Sequence, residues 1–329
     1  MLESKTMKYC FIINPAAGNG KVQEAILPNV INVVKKWGAD YEIHRTSGPG
    51  EATQYAKSHL AANPEETFRF YSCGGDGTAA EILNGLYGAK NAELGIIPAG
   101  SGNDYIRNFS DREKFRDIAA QLAGEAVPVD VIKYTYTPYN ASTDSEGEET
   151  TAYGLNMVNM GFDAKVVYHT QRMKKNIFLN GTGAYIAGVI SEFMSYKMSH
   201  VVFHPEGAAD IEMDILLAGI GSGRFSGGGF DGIPDAVVND GYLDLLAVVP
   251  LTRGEFIRLI GVYHDGKHIG NPAFQGMLQT LQLKSVVIEP DASLIFAVDG
   301  EVHYTKKPFT ISVAPETVKF VIPDGVKRP

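Results

Sequence analysis

Short apolar runs alternate with helical patterns along the chain from Met1 to Glu125. Four strand-like runs, YCFIIN, YEIHRT, FRFYSC and LGIIPA, recur roughly every 27 residues, about the length of a βαβ unit. The segments between them are VQEAILPNVINVVKKW, EATQYAKSHLAAN and TAAEILNGLYG, and their apolar residues lie largely three and four positions apart. This half of the chain is therefore predicted to form a parallel sheet with crossover helices.

The alternation of strand-like and helical segments ends after Val127. Strand-like runs such as VPVDVIKYTY, ADIEMDILLAGIG, YLDLLAVV and SLIFAVDG follow one another closely. Good helical patterns cover Ala184 to Tyr196 and Arg253 to Tyr263. The pattern predicts a second, β-rich domain rather than a continuation of the α/β domain.

Length and composition narrow the class of protein. A chain of 329 residues exceeds the size at which single cores stop growing, so two domains are expected. The net charge of -9 argues against nucleic-acid binding. No apolar run reaches the length of a membrane span and no signal-peptide pattern opens the chain, so we expect a cytosolic protein. Cys10 and Cys73 stand in apolar runs and are expected to be reduced core residues rather than a disulfide or a metal pair.

Three loops rich in glycine and small polar residues follow strands of the first half. They are Asn14 to Lys21, Cys73 to Thr78 and Pro98 to Asp104. The carboxyl ends of parallel strands share one edge of a sheet, where ligands of such folds bind. Each loop is expected to precede a helix, so its backbone N–H groups and the positive end of the helix can face an anion. Together the loops predict a phosphate-bearing ligand.

Asp76 lies in the second of these loops. A carboxylate beside phosphates is repelled unless a cation or a substrate hydroxyl lies between them. The structural alternative is a tight turn in which Asp76 only accepts backbone hydrogen bonds. The neighbouring loops favour the functional interpretation, in which Ser101 and Asn103 also reach a ribose or a phosphate. The spacing is neither the GxGxxG of a dinucleotide fold nor the GxxxxGK[ST] of a P-loop.

Two acidic turns lie in the second half, Asp235 to Leu246 and Ala297 to Tyr304. Asp-Gly between apolar runs is a strong hairpin signal, so each turn alone is explained by structure. A hairpin does not require the further acids Asp244 and Glu301. Glu301 suits a general base, and Asp240 with nearby carbonyls suits a hard cation.

These motifs, in this order, resemble the diacylglycerol kinase catalytic-domain family. The resemblance rests on FIINPAAGNGK, CGGDGTAAEILNGL, IPAGSGNDYIRNF, GGGFDGIPDAVVNDGYLDLL and VDGE. It implies an α/β nucleotide domain related to NAD kinases and phosphofructokinases, followed by a β-sandwich, with ATP and Mg²⁺ in the cleft between them. The expected domains are 1–127 together with about 309–329, whose strands return to the first domain, and 128–308.

The resemblance also implies roles for particular residues. In the matching motifs, Glu301 is the proton acceptor and Asp299 supports the metal or water network, while Asp76 competes with Glu301 for the base role. A cation is held by Asp240 with the carbonyls of Val237 and Tyr242. The expected ATP-binding residues are Asn14, Pro15, Ala16, Ala17, Gly18, Thr46, Gly74, Gly75, Asp76, Gly77, Thr78, Ala79, Ala80, Ser101 and Asn103.

The activity implied is transfer of the γ-phosphoryl group of ATP to a hydroxyl of a membrane lipid, such as diacylglycerol. The enzyme would meet the lipid at the inner face of the membrane, and the acyl chains would need an apolar groove, for which Phe178 to Met194 is the candidate. The oligomeric state stays open, with a homodimer allowed. Two alternatives are a kinase of a soluble acceptor such as NAD, whose family also has a GGDGT loop, and an inactive nucleotide-binding regulator.

Overall fold

The computed structural model describes residues 7–20, 24, 26–100, 102–174 and 198–329. The chain divides into two compact units. One is Met1–Val131 together with Ala314–Pro329, and the other is Ile132–Val313. The sequence placed these boundaries at 127 and about 309, so the structure moves both a few residues along the chain.

The strands of the described residues number from β1 to β22. In chain order they are β1 (Met7–Ile13), β2 (Asp40–Arg45), β3 (Thr67–Gly74), β4 (Ala92–Pro98), β5 (Glu125–Val129), β6 (Ile132–Tyr136), β7 (Tyr139–Asn140), β8 (Ser145–Glu146), β9 (Thr150–Gly154), β10 (Met157–Gly161), β11 (Ser199–Pro205), β12 (Ile211–Ile215), β13 (Leu217–Gly221), β14 (Phe225–Ser226), β15 (Phe230–Asp231), β16 (Leu243–Val248), β17 (Leu278–Leu283), β18 (Ser285–Pro290), β19 (Leu294–Val298), β20 (Glu301–Thr305), β21 (Phe309–Val313) and β22 (Val318–Ile322).

The α-helices of the same residues are fewer. They are α1 (Leu27–Trp37), α2 (Glu51–Ala62), α3 (Asp76–Leu86), α4 (Ile118–Ala123), α5 (Phe162–Lys174) and α6 (Arg253–His264). The helical segments predicted in the first half are confirmed as α1, α2 and α3, and the pattern from Arg253 is confirmed as α6. The predicted helix from Ala184 to Tyr196 lies outside the described residues.

The first unit is a six-stranded sheet in the order β2-β1-β3-β4-β22-β5. Strands β1 to β4 are parallel, as the βαβ rhythm predicts, and their carboxyl ends are level, because Ile13 pairs with Cys73 and Cys73 with Ile97. Apolar side chains such as Val30 and Val34 bury one face of α1 against the sheet. The topology therefore brings the loops after β1, β3 and β4 to one edge.

The strand β22 returns to this first sheet from the far end of the chain. It lies between β4 and β5, parallel to the former and antiparallel to the latter. The segment expected to return began at about residue 309, but β21 pairs with β18 and β6 in the second unit. The return therefore begins at Ala314, where the chain leaves the β21 ladder.

The second unit is the expected β-sandwich. Its two six-stranded sheets have the orders β17-β16-β13-β10-β19-β20 and β12-β11-β18-β21-β6-β9. Alternate side chains of both sheets, among them Phe203, Phe296 and Ile311, form one buried core. The helices α5 and α6 add a second apolar cluster outside the first of these sheets, with Phe162 packed edge-on against Phe256.

Two smaller expectations concern the cysteines and the membrane. Cys10 and Cys73 are free and buried, as predicted. Among the described residues, no helix is long and apolar enough to cross a bilayer.

Candidate functional site

Asn14 links the first loop to the second. Its backbone N–H donates to the carbonyl of Cys73 at 3.2 Å, and its side-chain Nδ2 donates to Thr78 Oγ1 at 3.0 Å. Its Oδ1 accepts from the N–H of Ala16 at 3.0 Å, which shapes the turn into a short 3₁₀ helix at Ala17–Gly20. Pro15 to Gly18 therefore lie at the carboxyl end of β1, held against the start of α3.

The second and third loops touch through glycine backbone. The carbonyl of Gly74 accepts from the N–H groups of Ala99 at 2.8 Å and Gly100 at 3.0 Å. A Cβ added to Gly100 would lie 2.5 Å from the Cα of Gly75. Gly100 therefore cannot carry a side chain without separating the loops, whereas a Cβ on Gly75 would lie 3.3 Å from the Cα of Gly100 and needs a shift of only a few tenths of an ångström.

Asp76 connects the second loop to the third. The carboxylate Oδ1 accepts from the backbone N–H of Asp104 at 2.9 Å. A Cβ on Gly102 would lie 2.8 Å from the other carboxylate oxygen, so the third loop wraps closely around this side chain. Asp104 itself forms an ion pair with Arg107, with 3.1 Å between Oδ1 and Nε. Asp76 is thus fixed at the first position of α3, where the loops converge.

The start of α3 can receive an anion. Gly75 is the N-cap residue, and the N–H groups of Thr78 and Ala79 already donate to its carbonyl. The amides of the first helical turn precede these and point along the helix axis, with the positive end of the helix dipole. Gly77 has no side chain to cover them. Thr78, Ala79 and Ala80 are buried, so their contribution to a ligand site is the backbone they position.

Three other expected nucleotide residues differ in what the structure shows. Thr46 follows β2 at the same sheet edge, and both its N–H and its hydroxyl donate to the carbonyl of Ile13, at 3.0 and 3.4 Å. Asn103 has a positive φ of 50° and its side chain bonds twice to the backbone of Gly100, so it closes the third loop. Ser101 lies outside the described residues.

In the second unit, Asp299 anchors its own turn. It has a left-handed φ of 48° between β19 and β20. Its carboxylate accepts three backbone N–H bonds, from Leu155 at 2.6 Å, Asn156 at 3.0 Å and Met157 at 3.1 Å. The side chain therefore fixes the β19–β20 turn to the start of β10.

Glu301 opens β20 and is exposed. Burial raises the pKa of the Tyr134 phenol, and the carboxylates of Asp299 and Glu301 raise it further. His303 lies two residues beyond Glu301 and accepts or donates one hydrogen bond with the hydroxyl of Tyr136, at 2.8 Å. Burial lowers the pKa of His303 to about 4, so this ring is neutral near pH 7.

The acidic turn before β16 has one carboxyl with a shifted pKa. Asp240 is exposed, and its oxygens accept from the N–H of Tyr242 at 3.0 Å and from Gln282 at 3.3 Å. Burial, with the charges of Asp240 and Asp235, raises the pKa of Asp244 to about 6. One oxygen of Asp244 is buried without a hydrogen-bond partner. Val237 and Tyr242, the other two expected cation residues, are exposed in the same turn.

Family models match nearly the whole chain. The diacylglycerol kinase catalytic domain matches residues 8–134, and the YegS C-terminal NAD kinase beta sandwich-like domain matches residues 156–322. The chain belongs to the diacylglycerol kinase catalytic-domain family. The resemblance inferred from the motifs is thereby confirmed, and so is the expectation of a lipid-kinase type of phosphotransferase.

Curated relatives carry names consistent with this family. A protein named probable lipid kinase YegS-like from Alcanivorax borkumensis is 28% identical over 90% of this chain and 93% of its own length. A protein named diacylglycerol kinase from Staphylococcus carnosus is 28% identical over 88% of this chain and 87% of its own.

Solved structures show the same fold. A structure described as a diacylglycerol kinase from Bacillus anthracis str. Sterne has a TM-score of 0.65 at 22% identity and covers 98% of this chain and 99% of that one. Another chain from that organism has a TM-score of 0.70 at 23% identity, covering 99% and 100%. Both likenesses confirm the predicted fold class, an α/β domain followed by a β-sandwich.

One feature of this lipid-kinase chain was not expected from the sequence. The second unit has a small open pocket with a volume of about 30 Å³, about the space of one water molecule, and its walls are mostly apolar. Burial raises the pKa of Asp163, which faces the pocket, to about 7. The motif GFDA contains this aspartate, but nothing in its spacing shows that the side chain is desolvated. The pocket is lined by Asn159, Phe162, Asp163, Val166, Val167, Leu217, Ser226, Gly227, Phe230, Ile260 and Tyr263. The predicted groove from Phe178 to Met194 lies outside the described residues.

Proposed function

We propose that this enzyme transfers the γ-phosphoryl group of ATP to a hydroxyl of a membrane lipid, with diacylglycerol or a related lipid alcohol as the acceptor. The convergence of three glycine-rich loops at one edge of the parallel sheet, with Asp76 fixed among them, carries the proposal. In the reaction the acceptor oxygen forms a bond to the γ-phosphorus and the bond to the β,γ-bridging oxygen breaks. ADP leaves, and the hydroxyl proton passes to a carboxylate.

The loops of the first unit have the properties that triphosphate binding needs. The start of α3 directs backbone N–H groups outward, and the close packing of Gly75 on Gly100 leaves no side chain between those groups and a ligand. Asn14 lies beside Thr78 and supports the same turn. We therefore assign the phosphates to these loops. Thr46 lies at the same edge and is a further candidate for contact with the nucleotide.

Two carboxylates compete for the role of base. Asp76 lies among the phosphate loops, which favours orientation of the acceptor hydroxyl or of a cation. Glu301 is exposed at the start of β20, where it is accessible to an acceptor. Asp299 already accepts three backbone N–H bonds, so its part is to position the turn that presents Glu301. Replacing Glu301 by Gln separates the alternatives: full activity would assign the base to Asp76.

Mg²⁺ is the cation proposed to accompany ATP, where it would neutralise charge that develops on the phosphates. A second cation fits the acidic turn of the other unit, because Asp244 has a buried oxygen without a donor and Asp240 is exposed beside it. The carbonyls of Val237 and Tyr242 would complete an oxygen ligand set of the kind that hard cations prefer. Removing the cation from this turn is expected to lower the free energy of unfolding, with a smaller effect on the free energy of ATP binding.

The pocket of the second unit is too small to enclose an acyl chain, and we propose only that its apolar rim contacts the apolar part of the acceptor. Its walls come from Phe162, Val166, Leu217 and Ile260, and a partly desolvated carboxyl, Asp163, lies on one side. A lipid alcohol has both characters, since its acyl chains are apolar and its hydroxyl can bond to a carboxyl. Meeting such a lipid at a membrane surface requires peripheral contact only.

A lipid panel tests the proposal directly. The full chain is incubated with radiolabelled ATP, Mg²⁺ and mixed micelles that contain diacylglycerol, undecaprenol, phosphatidylglycerol or sphingosine, with NAD in a separate reaction. We expect the wild-type protein to transfer label to one of the lipids, and the Asp76→Asn protein to transfer none. Label in NAD alone would overturn the lipid assignment, and no label in any acceptor would favour a nucleotide-binding regulator.

A further inference from the structure

A cysteine, a histidine and a glutamate meet on the face of the first sheet that α2 covers. Cys10 Sγ lies 3.8 Å from His59 Nε2, and the same nitrogen lies 3.8 Å from Glu42 Oε2. The three donor atoms all lie within 4.8 Å of one another. Residues from β1, β2 and α2 are thus brought together although 49 positions separate Cys10 from His59.

Neighbouring side chains orient two of these three donors. The hydroxyl of Tyr55 donates to Glu42 Oε2 at 3.1 Å, which turns that carboxylate oxygen toward the group. The His59 ring stacks on Tyr55, with centroids 5.3 Å apart, and packs edge-on against Phe68 at 4.8 Å. Cys10 is 1% exposed on its strand. The positions of the donors are therefore set by packing.

The donor set and its spacing match a tetrahedral zinc ion. Zinc binds thiolate, imidazole and carboxylate at about 2.3, 2.0 and 2.1 Å, which places tetrahedral ligand atoms about 3.3 to 3.6 Å apart. The two separations of 3.8 Å would contract by a few tenths of an ångström, and the third, between Cys10 Sγ and Glu42 Oε2, lies within 4.8 Å and would close by rotation of the exposed Glu42 side chain. Glu42 is exposed on the open side, where water can take the fourth position.

The donor set is one that zinc accepts. Zinc takes the thiolate form of cysteine, so binding of the ion would release the Cys10 thiol proton.

We propose that Cys10, Glu42 and His59 form a zinc site with Tyr55 as the residue that orients Glu42. The site would fasten α2 to β1 and β2, the strands whose carboxyl ends carry Asn14 and Thr46. It does not depend on the kinase assignment, because none of its ligands belongs to the phosphate loops.

The test measures metal directly. The full chain is stripped with a chelator and titrated with zinc chloride against a chromophoric competitor, and a parallel sample is titrated with Co²⁺. One equivalent of zinc and a thiolate-to-cobalt charge-transfer band in the near ultraviolet are expected. Cys10→Ser and His59→Gln should each lose both signals. Tyr55→Phe should weaken zinc binding about ten- to a hundred-fold, as loss of an orienting hydrogen bond does.

Two controls separate this site from other places that bind cations. His44→Gln removes a histidine that stacks on Tyr55 at 4.0 Å without being a donor in the group, and it should leave zinc binding unchanged. Asp240→Asn should likewise leave the cobalt band intact. The proposal is overturned if the wild type binds no stoichiometric zinc, or if the band persists in both Cys10→Ser and His59→Gln.

Discussion

The two units differ in how their predicted site residues are held. In the first unit the residues of separate loops bond to one another, as Asn14 does to Thr78 and Asp76 to the backbone of Asp104. In the second unit Asp240 accepts from Tyr242 of its own turn and from Gln282 of β17, and Asp299 accepts from the backbone at the start of β10. The first unit therefore joins loop to loop at one sheet edge, whereas in the sandwich a single carboxylate joins a turn to a neighbouring strand.

Replacing Asp76 is expected to have the largest effect on activity. Asp76→Asn keeps an oxygen that can accept from Asp104 but removes the charge that a cation or an acceptor hydroxyl would meet. We expect activity to fall about 10²- to 10⁴-fold with little change in melting temperature. Steady-state kinetics and thermal unfolding check both parts. A variant that retains more than a tenth of wild-type activity would remove Asp76 from the mechanism.

Gly100→Ala breaks the contact between two loops. The added Cβ would lie 2.5 Å from the Cα of Gly75, so the loops must separate by more than a side-chain adjustment. We expect ATP affinity to fall at least about tenfold and stability to fall by about 1–3 kcal/mol. Calorimetric titration and urea unfolding measure the two effects.

Gly48→Ala is the matched control in the same unit, since no atom lies within 4 Å of its added Cβ. If both glycine variants bind ATP equally well, the close approach of Gly75 and Gly100 has no part in nucleotide binding.

Asp299→Asn tests how strongly one carboxylate holds its turn to the start of β10. Asparagine tolerates the left-handed φ of 48°, so the change affects mainly the carboxylate that accepts three N–H bonds. We expect a loss of about 1–3 kcal/mol in unfolding free energy. Chemical denaturation measures it, with Asp240→Asn in chelator as the control that should change much less. Equal losses in the two variants would contradict the difference drawn between these turns.

Asp163 links stability to pH. Its pKa is raised from 3.8 to about 7, so between these values the folded state holds a proton that the unfolded state has lost. Stability conferred by the protonated form is therefore present near pH 4 and lost as the pH rises through 7. Asp163→Asn should remove this loss and be more stable than wild type above pH 7, on the order of 1–3 kcal/mol. Denaturation curves of both proteins between pH 4 and 8 measure this difference. If the Asp163 carboxyl were solvated, the difference in unfolding free energy between the two proteins would not change with pH.

The spacing of apolar residues predicted most of the fold, because most helices and strands show the period typical of their own type. The four parallel strands, α1 to α3 and α6 follow from apolar spacing. The helix α5 did not, because its buried residues Phe162, Ala164 and Val166 alternate as in a strand and follow β10 without a break. The α-helical period is hidden when a helix buries such a set against a sheet.

A site can be predicted from the sequence where backbone groups form it. Glycine and small polar residues after strands predicted the three loops that meet at one edge of the first sheet, because such residues allow close approach of the backbone. The environment of Asp244 and Asp163 depends on burial, which comes from packing of distant segments. The same holds for Cys10 and His59, whose proximity requires α2 to lie across the first two strands.

The place of β22 has a consequence for biosynthesis. A ribosome releases the first five strands of the first unit early, yet the position between β4 and β5 can be filled only after the whole sandwich has been translated. Until then β4 and β5 have no partner on their facing edges. The sheet of the first unit would therefore lack one strand through most of elongation. Chaperone binding to stalled chains should decline once Val318–Ile322 emerges from the ribosome.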